Sequence, residues 1–268
     1  MASPNPGPGH SNRAPGARPP GGPDPWWGAQ PPRRRPSSWV VLTGAGVSAD
    51  SGVATFRGQG GLWEGQRIED LASPQGWARD PARVWRFYQA RRAQLLSVAP
   101  NPAHRALVRL EAACRARGEA FTLVSQNVDD LHERAGSRPL SMHGQLLELR
   151  CEACEAIELD RHSLDPERFV PCVRCGHPRL RPNVVWFGEQ PLHLAEIRTA
   201  LERCDLFLSI GTSGLVYPAA GFLAEARAHG AETWVNSLDE PANLDPRDRF
   251  LPGRAAEVVP RWVDAWLS

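Results

Sequence analysis

Four short apolar runs, each ending in a loop of small polar residues, constrain this chain more than any other feature of its sequence. Trp39-Val40-Val41-Leu42-Thr43 ends at Gly44 and Gly46, and Phe121-Thr122-Leu123-Val124 leads into Ser125-Gln126-Asn127. Leu206–Ile210 leads into Gly211-Thr212-Ser213, and Thr233-Trp234-Val235 into Asn236-Ser237. Buried strands feeding turns have this form. Helical patterns over residues 80–97, 102–117, 192–203 and 218–229 separate them. Strands alternating with helices predict an α/β fold with a Rossmann-like, doubly wound parallel sheet. The four polar loops then lie along one edge, at the strand C-termini, where folds of this kind gather their ligands.

A chain of 268 residues is long enough for one large domain, or for a main domain carrying a smaller module. Its 26 Pro and 24 Gly exceed ordinary usage, and much of the excess is in residues 1–37, which hold 11 Pro and 6 Gly with five Arg against one Asp. That segment has too few periodic apolar residues to offset the entropy of ordering. It reads as a disordered tail whose Arg33-Arg34-Arg35 run is a solvated linker, with order expected from about Ser38. With the tail at +4 and the whole chain at +1, the remainder carries −3. This balance gives no electrostatic reason for it to bind nucleic acid. No run reaches the roughly 18 apolar residues of a membrane span, and the N-terminus lacks the apolar stretch of a secretion signal. Neither secretion nor a membrane partner is expected, and the location reads as cytoplasmic.

One stretch breaks the strand–helix rhythm. Cys151-Glu152-Ala153-Cys154 and Cys172-Val173-Arg174-Cys175 stand 17 residues apart, within the spacing of a zinc site. Four thiolates close a tetrahedron around the ion and leave no position for water, so such an ion is structural. Two disulfides would instead need an oxidising compartment, against the missing secretion signal. Cys114 and Cys204 sit in apolar helical contexts and read as packed core thiols. A zinc ribbon by itself leaves nucleic-acid binding open.

Gly44-Ala45-Gly46-Val47-Ser48-Ala49 follows a strand and fits G-x-G-x-x-A. The small residues of this dinucleotide fingerprint let backbone N–H groups approach a pyrophosphate. The acidic residue expected about 20 positions later does not end a clear second strand, because Glu64 lies in a Gly/Trp loop. That argues against a hydride-transferring dehydrogenase.

The longer stretch from Gly44 through Ser51-Gly52, followed by Thr55-Phe56-Arg57-Gly58, resembles the signature of the sirtuins, the NAD-dependent protein deacylases. Gln126-Asn127-Val128-Asp129, His143-Gly144, the paired Cys-x2-Cys, Val185-Trp186-Phe187-Gly188-Glu189 and Gly211-Thr212-Ser213 follow in that family's order. The resemblance covers residues 38–268 as one catalytic domain. It implies a core of 38–58, 118–150 and 183–268, a helical insertion at about 59–117 and a zinc-binding module at about 151–182. It further implies that Gly44, Ala45, Gly46 and Ser48 hold the NAD phosphates. Gly211, Thr212 and Ser213 would approach them from a later strand, with Asn236, Ser237 and Ala255 near the adenosine. Thr55, Phe56, Arg57 and Trp63 would also meet the cosubstrate, Phe56 and Arg57 from a loop closing over the reacting ribose. Gln126, Asn127 and Asp129 would line the nicotinamide pocket and ribose.

The implied reaction is attack by the acyl oxygen of a modified lysine on the nicotinamide ribose, with His143 as general base and O-acyl-ADP-ribose, nicotinamide and free lysine as products. The chemistry asks for these residue types independently. A weak amide nucleophile needs a site shielded from water, and a base working near neutral pH is most naturally a histidine. Asn127 and Asp129 also suit the cap of a following helix.

Tyr88 and Arg91, three apart, share a helix face. They match the Tyr-x-x-Arg pair that in class III sirtuins contacts the carboxylate of succinyl- or malonyl-lysine. Ala90 reads as room for a longer acyl chain and Arg92 as surface, with acetyl removal also expected. Val185 and Phe187 match residues flanking the acyl-lysine tunnel, and Gly214 to Val216 match a strand that pairs with the substrate backbone. Tyr217 is expected beside the same groove. Departures from the family pattern are Ala54, Ser125, Val128 and Asn183, none of which removes a group the chemistry needs. The implied partners are acyl-lysine proteins or peptides. Two other readings stand beside this one: NAD-dependent ADP-ribosyl transfer, and a zinc-ribbon nucleic-acid binder with a vestigial nucleotide fold.

Overall fold

The structure, a computed structural model, describes residues 34–54, 62–63 and 66–268. Residues 1–33 and Thr55, Phe56 and Arg57 therefore lie outside the described residues. The first four described residues already contact the body. Arg35 donates to Glu119 at 2.5 Å and to the Trp266 carbonyl at 2.8 Å, and the Ser37 N–H donates to Asp205.

The chain enters the sheet at β1 (Ser38–Thr43), turns through α1 (Ala45–Ser48) and a 3-10 turn (Ala49–Ser51), and forms a small hairpin, β2 (Leu62–Trp63) and β3 (Gln66–Arg67). Four helices follow: α2 (Ile68–Leu71), α3 (Pro74–Arg79), α4 (Pro81–Ser97) and α5 (Pro102–Ala116). Their starts are locally encoded. Ser73, Asp80 and Asn101 accept backbone N–H bonds at the starts of α3, α4 and α5, each just before a proline whose missing N–H costs a first turn nothing.

β4 (Ala120–Ser125), α6 (Leu131–Ala135) and β5 (Leu140–Ser141) return the chain to the sheet. A second, antiparallel sheet of order β7-β6-β8 then forms from β6 (Gly144–Cys151), β7 (Ile157–Leu159) and β8 (Leu180–Val184). The last part alternates α7 (Leu194–Glu202), β9 (Leu206–Ile210), α8 (Ala219–Ala228), β10 (Glu232–Ser237), β11 (Arg249–Pro252) and α9 (Ala255–Leu267). The main sheet runs β11-β10-β9-β1-β4-β5, parallel throughout. The expected doubly wound sheet is present, and the four expected helical segments are α4, α5, α7 and α8.

Alternation along β1 explains why both faces are covered. Trp39 and Val41 pack into a core with α5 and α9, whereas Val40 and Leu42 pack into a core with α7 and α8. Successive residues of a strand face opposite ways, so a run apolar at every position needs helices on both sides. A third core joins α3 and α4 to the small sheet, with Trp77, Trp85, Tyr88 and Trp186 beside Cys151 and Cys172. No helix among the described residues is long and apolar enough to cross a membrane.

Register sets the position of the site. Thr43 pairs with both Ser125 and Ile210, and Ile210 pairs with Asn236. The loops beginning at Gly44, Gln126, Gly211 and Leu238 therefore leave the sheet at nearly one level. β1 is also where the strand order changes direction, the point at which open sheets hold ligands.

Candidate active site

The loops after β1 and β9 meet backbone to backbone. The Gly44 N–H donates to the Ile210 carbonyl and the Gly46 N–H to the Gly211 carbonyl, both at 2.9 Å. A Cβ on Gly46 would lie 2.6 Å from the Gly211 Cα, so neither loop can retreat to admit a side chain. Gly211 itself has φ +63, a conformation that favours glycine. The result is a concave surface of bare peptide groups with room for a phosphate-bearing ligand, the fit that a dinucleotide requires.

This surface is one end of a cavity of about 590 Å³, within the usual range for ligand sites. Gly44, Ala45, Gly46, Ser48, Gly211, Thr212, Ser213 and Ser237 line that end. Gln126, Asn127, Asp129 and His143 line the middle, and Tyr88, Arg91, Val185 and Phe187 line the far end. The sequence-expected residues thus converge, with exceptions. Asn236 is buried and turned away, its side-chain amide donating to the carbonyls of Leu251 and Gly253, and Ala255 is buried at the start of α9, so neither lines the cavity. Trp63 lies in β2, and its side chain is outside the described residues.

The middle is a buried polar network. The Ser48 hydroxyl donates to Asp129 at 2.9 Å and accepts from Asn127 at 3.1 Å, while Asn127 also donates to the Gly44 carbonyl. Asp129 accepts the Leu131 N–H as well, but the N-cap of α6 is Asp130, so neither Asn127 nor Asp129 takes the cap position the sequence suggested. Burial raises the Asp129 carboxyl above the usual carboxylate range, against the hydrogen bonds from Ser48 and Leu131. Behind Ser48 stands His104. Its Nδ1 accepts the Asn101 N–H, which leaves Nε2–H directed to the Ser48 oxygen at 3.5 Å. Burial holds His104 at about 4 and His132, whose ring meets it edge-on, at about 3, so both are neutral. Sequence reasoning missed His104; the usable signal is Asn101-Pro102 opening a helix with His104 at its third position, a capping box.

His143 is poised as a base. Its Nδ1 lies 2.7 Å from the Gln126 carbonyl, which can only accept, so the proton sits on Nδ1 and the Nε2 lone pair is available. Burial lowers its pKa, against the raising effect of that carbonyl, and keeps the imidazole unprotonated at neutral pH. The main chain beside it is fixed by Gly144 and by the Val185 N–H, which donates to the His143 carbonyl at 2.9 Å. With φ +76, Gly144 brings its Cα so close to the Asn183 carbonyl that a Cβ would sit 2.1 Å from the oxygen.

At the far end Tyr88 is buried and its hydroxyl accepts from Trp186 Nε1 at 2.9 Å, which leaves the phenolic proton as a donor. Burial pushes that phenol above its ordinary range, so it stays protonated. Arg91 lies with its guanidinium carbon 3.4 Å over the Phe87 ring and donates to the Phe87 carbonyl. Trp186 is clamped from behind by Arg181, stacked 3.5 Å over it and paired with Glu189 at 2.7 and 2.9 Å.

Two neighbours on α4 are placed otherwise than the sequence suggests. Ala90 is exposed, because two residues beyond Tyr88 is about 200° around a helix, and it does not line the cavity. Arg92 is fully buried rather than surface. One residue past Arg91 the helix turns about 100°, into the contact with the zinc-module segment. Val216 and Tyr217 line the cavity mouth, but residues 214–216 belong to no strand. The strand-end rule could have found Asp239 and Glu240, which follow β10 and also line the cavity.

The sulfurs of Cys151, Cys154, Cys172 and Cys175 all lie within 4.8 Å of one another, two pairs at 3.6 and 3.7 Å. Four ligands at the usual zinc–sulfur distance of about 2.3 Å stand about 3.8 Å apart at tetrahedral corners, so the set fits zinc. Both knuckles close alike: the Glu155 N–H donates to the Cys151 carbonyl and the Gly176 N–H to that of Cys172, each donor at positive φ. Cys114 and Cys204 are buried and pushed up to about 12 by burial, as expected of core thiols.

Residues 44–218 match the model of the Sir2 family. An NAD-dependent protein deacylase of Caulobacter vibrioides is 52% identical over 230 residues, covering 85% of this chain and 96% of the relative. One of Salmonella typhimurium is 50% identical over 233 residues, covering 85% and 84%. A solved Sir2 homolog–NAD complex superposes with a TM-score of 0.79 at 39% identity, covering 87% of this chain and 90% of that one. Sir2Af2 bound to a myristoylated histone peptide gives 0.67 at 30% identity, covering 86% and 91%.

Proposed function

The chain belongs to the Sir2 family, and we propose that it is an NAD-dependent protein-lysine deacylase whose acyl end accepts succinyl and malonyl groups and also admits acetyl. The observation that carries this reading is the continuity of the cavity, from the bare peptide surface at Gly46 and Gly211, past His143, to Tyr88 and Arg91.

The residues divide the work. The loops after β1 and β9, with Ser48 and Thr212, hold the dinucleotide phosphates, and Ser237 bounds the adenosine end. NAD, when bound, supplies the ribose to which the acyl group passes as nicotinamide departs. Asn127 and Asp129 are held rigid by Ser48, so they present fixed polar atoms where that exchange occurs. His143 withdraws a proton at Nε2, with the Gln126 carbonyl holding the ring in the required tautomer. Val185 and Phe187 flank the passage along which an acyl-lysine enters. At its end Arg91 offers a two-pronged contact to a carboxylate and Tyr88 a third donor. The four cysteines would hold a zinc ion with no position left for water, so it would serve the structure of the module beneath α4 and not the reaction.

The test is nicotinamide release from acetyl-, malonyl- and succinyl-lysine peptides with NAD. Turnover is expected to need both NAD and the imidazole, with His143→Ala lowering it about 10²–10⁴-fold. Formation of O-acyl-ADP-ribose rather than an ADP-ribosylated protein separates deacylation from ADP-ribosyl transfer. Turnover by His143→Ala near the wild-type rate would falsify the assignment.

A further inference from the structure

α4 is fastened on a face other than the one that meets the cavity. Trp85, Gln89 and Arg92 follow i, i+4, i+7 spacing and form one stripe. All three donate to backbone carbonyls of one segment, residues 160–168, which spans the gap between the two cysteine knuckles. Trp85 Nε1 donates to the carbonyls of Asp165 and Arg168 at 3.2 and 3.1 Å. Gln89 Nε2 donates to those of Ser163 and Asp165 at 2.8 and 3.4 Å. Arg92 Nη2 donates to the Asp160 carbonyl at 2.6 Å and stands 3.6 Å from the Asp160 carboxylate.

The Arg92 side chain has no exposed surface, yet it does not line the cavity. A buried guanidinium carries a large desolvation cost. A helix anchored only by apolar contact could rotate a few degrees or slide a fraction of a residue at little cost. Carbonyl contacts spaced over two turns allow neither, because each donor must meet its acceptor near 3 Å. Tyr88 and Arg91 lie about a quarter turn from this stripe on the same rigid helix, so the stripe sets where they stand.

We propose that Gln89 and Arg92 are positioning residues for acidic acyl groups: by locking α4 to the 160–168 segment they fix the register at which Tyr88 and Arg91 meet a substrate carboxylate. This rests on the acyl reading given above. An acetyl group makes no such contact, and the dinucleotide is held by a different part of the molecule. Loosening the stripe therefore acts on one substrate class.

The test compares steady-state kinetics of Gln89→Leu, Arg92→Met and Arg92→Lys with wild type on succinyl- and acetyl-lysine peptides of one sequence. Gln89→Leu and Arg92→Met are expected to raise KM for the succinyl peptide about tenfold. Their succinyl kcat, acetyl KM and NAD KM should stay within twofold, and Arg92→Lys should recover part of the loss. Equal losses on both peptides, with lowered thermal stability, would mean a merely structural anchor and overturn the proposal, as would an unchanged succinyl KM. Should Arg92→Met not fold, Gln89→Leu and Arg92→Lys carry the same criterion. Arg91→Met serves as the control that separates the two readings. If it spares succinyl turnover, the acyl reading fails and takes this one with it; if it is selective while the stripe variants are not, only the stripe proposal falls.

Discussion

The two ends of the cavity are built by opposite means. At the β1/β9 end the working surface is main chain, fixed by glycines in contact and backed by a buried network of Ser48, Asn127, Asp129 and neutral histidines. At the far end it is side chain: Tyr88 and Arg91 project from one helix, and that helix is held by a segment some seventy residues away in sequence. The first kind of site is set by a contiguous motif and tolerates almost no substitution. The second depends on long-range packing, so its preference can change while the chemistry at His143 stays intact.

The comparison breaks most visibly at Gly46. Its Cβ would meet only backbone of the facing loop, and closely packed main chain does not yield cheaply. Gly46→Ala is expected to lower NAD-dependent turnover about 100-fold on every acyl peptide, read by nicotinamide release. A drop confined to one acyl group would contradict a backbone-built dinucleotide end.

A smaller effect sharpens the same contrast through pH. His104 and His132 sit at about 4 and about 3 when folded, below an unfolded histidine. Protons therefore favour the unfolded chain, and the stability these residues give is complete above about pH 6.5 and lost as pH falls toward 4 and 3. Between pH 7 and pH 5 the loss is about 2 kcal/mol for each. Glu133 works in the other direction. Burial raises its folded pKa to about 7, so acidification through that window favours the folded state, again by about 2 kcal/mol. Denaturant titrations should show Glu133→Gln losing about 2 kcal/mol more than wild type between pH 7 and pH 5. Identical pH slopes for the two proteins would count against this balance of buried groups.

How much of this was readable in advance follows from the same division. The four strands with their loops, and α4, α5, α7 and α8, are legible because apolar periodicity and the Asn101-Pro102 type of helix start are local. α9 escaped because Pro260 interrupts its pattern, a defect the tertiary contacts of Trp262 and Val263 override. β5, of two residues, carries no pattern at all. The cysteine module was legible from spacing, since four thiols answer to one ion. Tyr88 and Arg91 were legible as a pair, but the roles of Ala90 and Arg92 were not. Nothing in residues 81–97 says which side will meet the 160–168 segment, and an arginine is a surface residue until a carbonyl-rich partner is known.

The central claim is that base chemistry and acyl selection belong to separable parts of one cavity. The most direct measurement is the ratio of kcat/KM for succinyl- over acetyl-lysine peptides in Arg91→Met. Loss of a charged hydrogen-bonded contact is expected to lower that ratio tenfold or more, with the NAD KM and the acetyl rate unchanged. An equal fall on both peptides would contradict the separation.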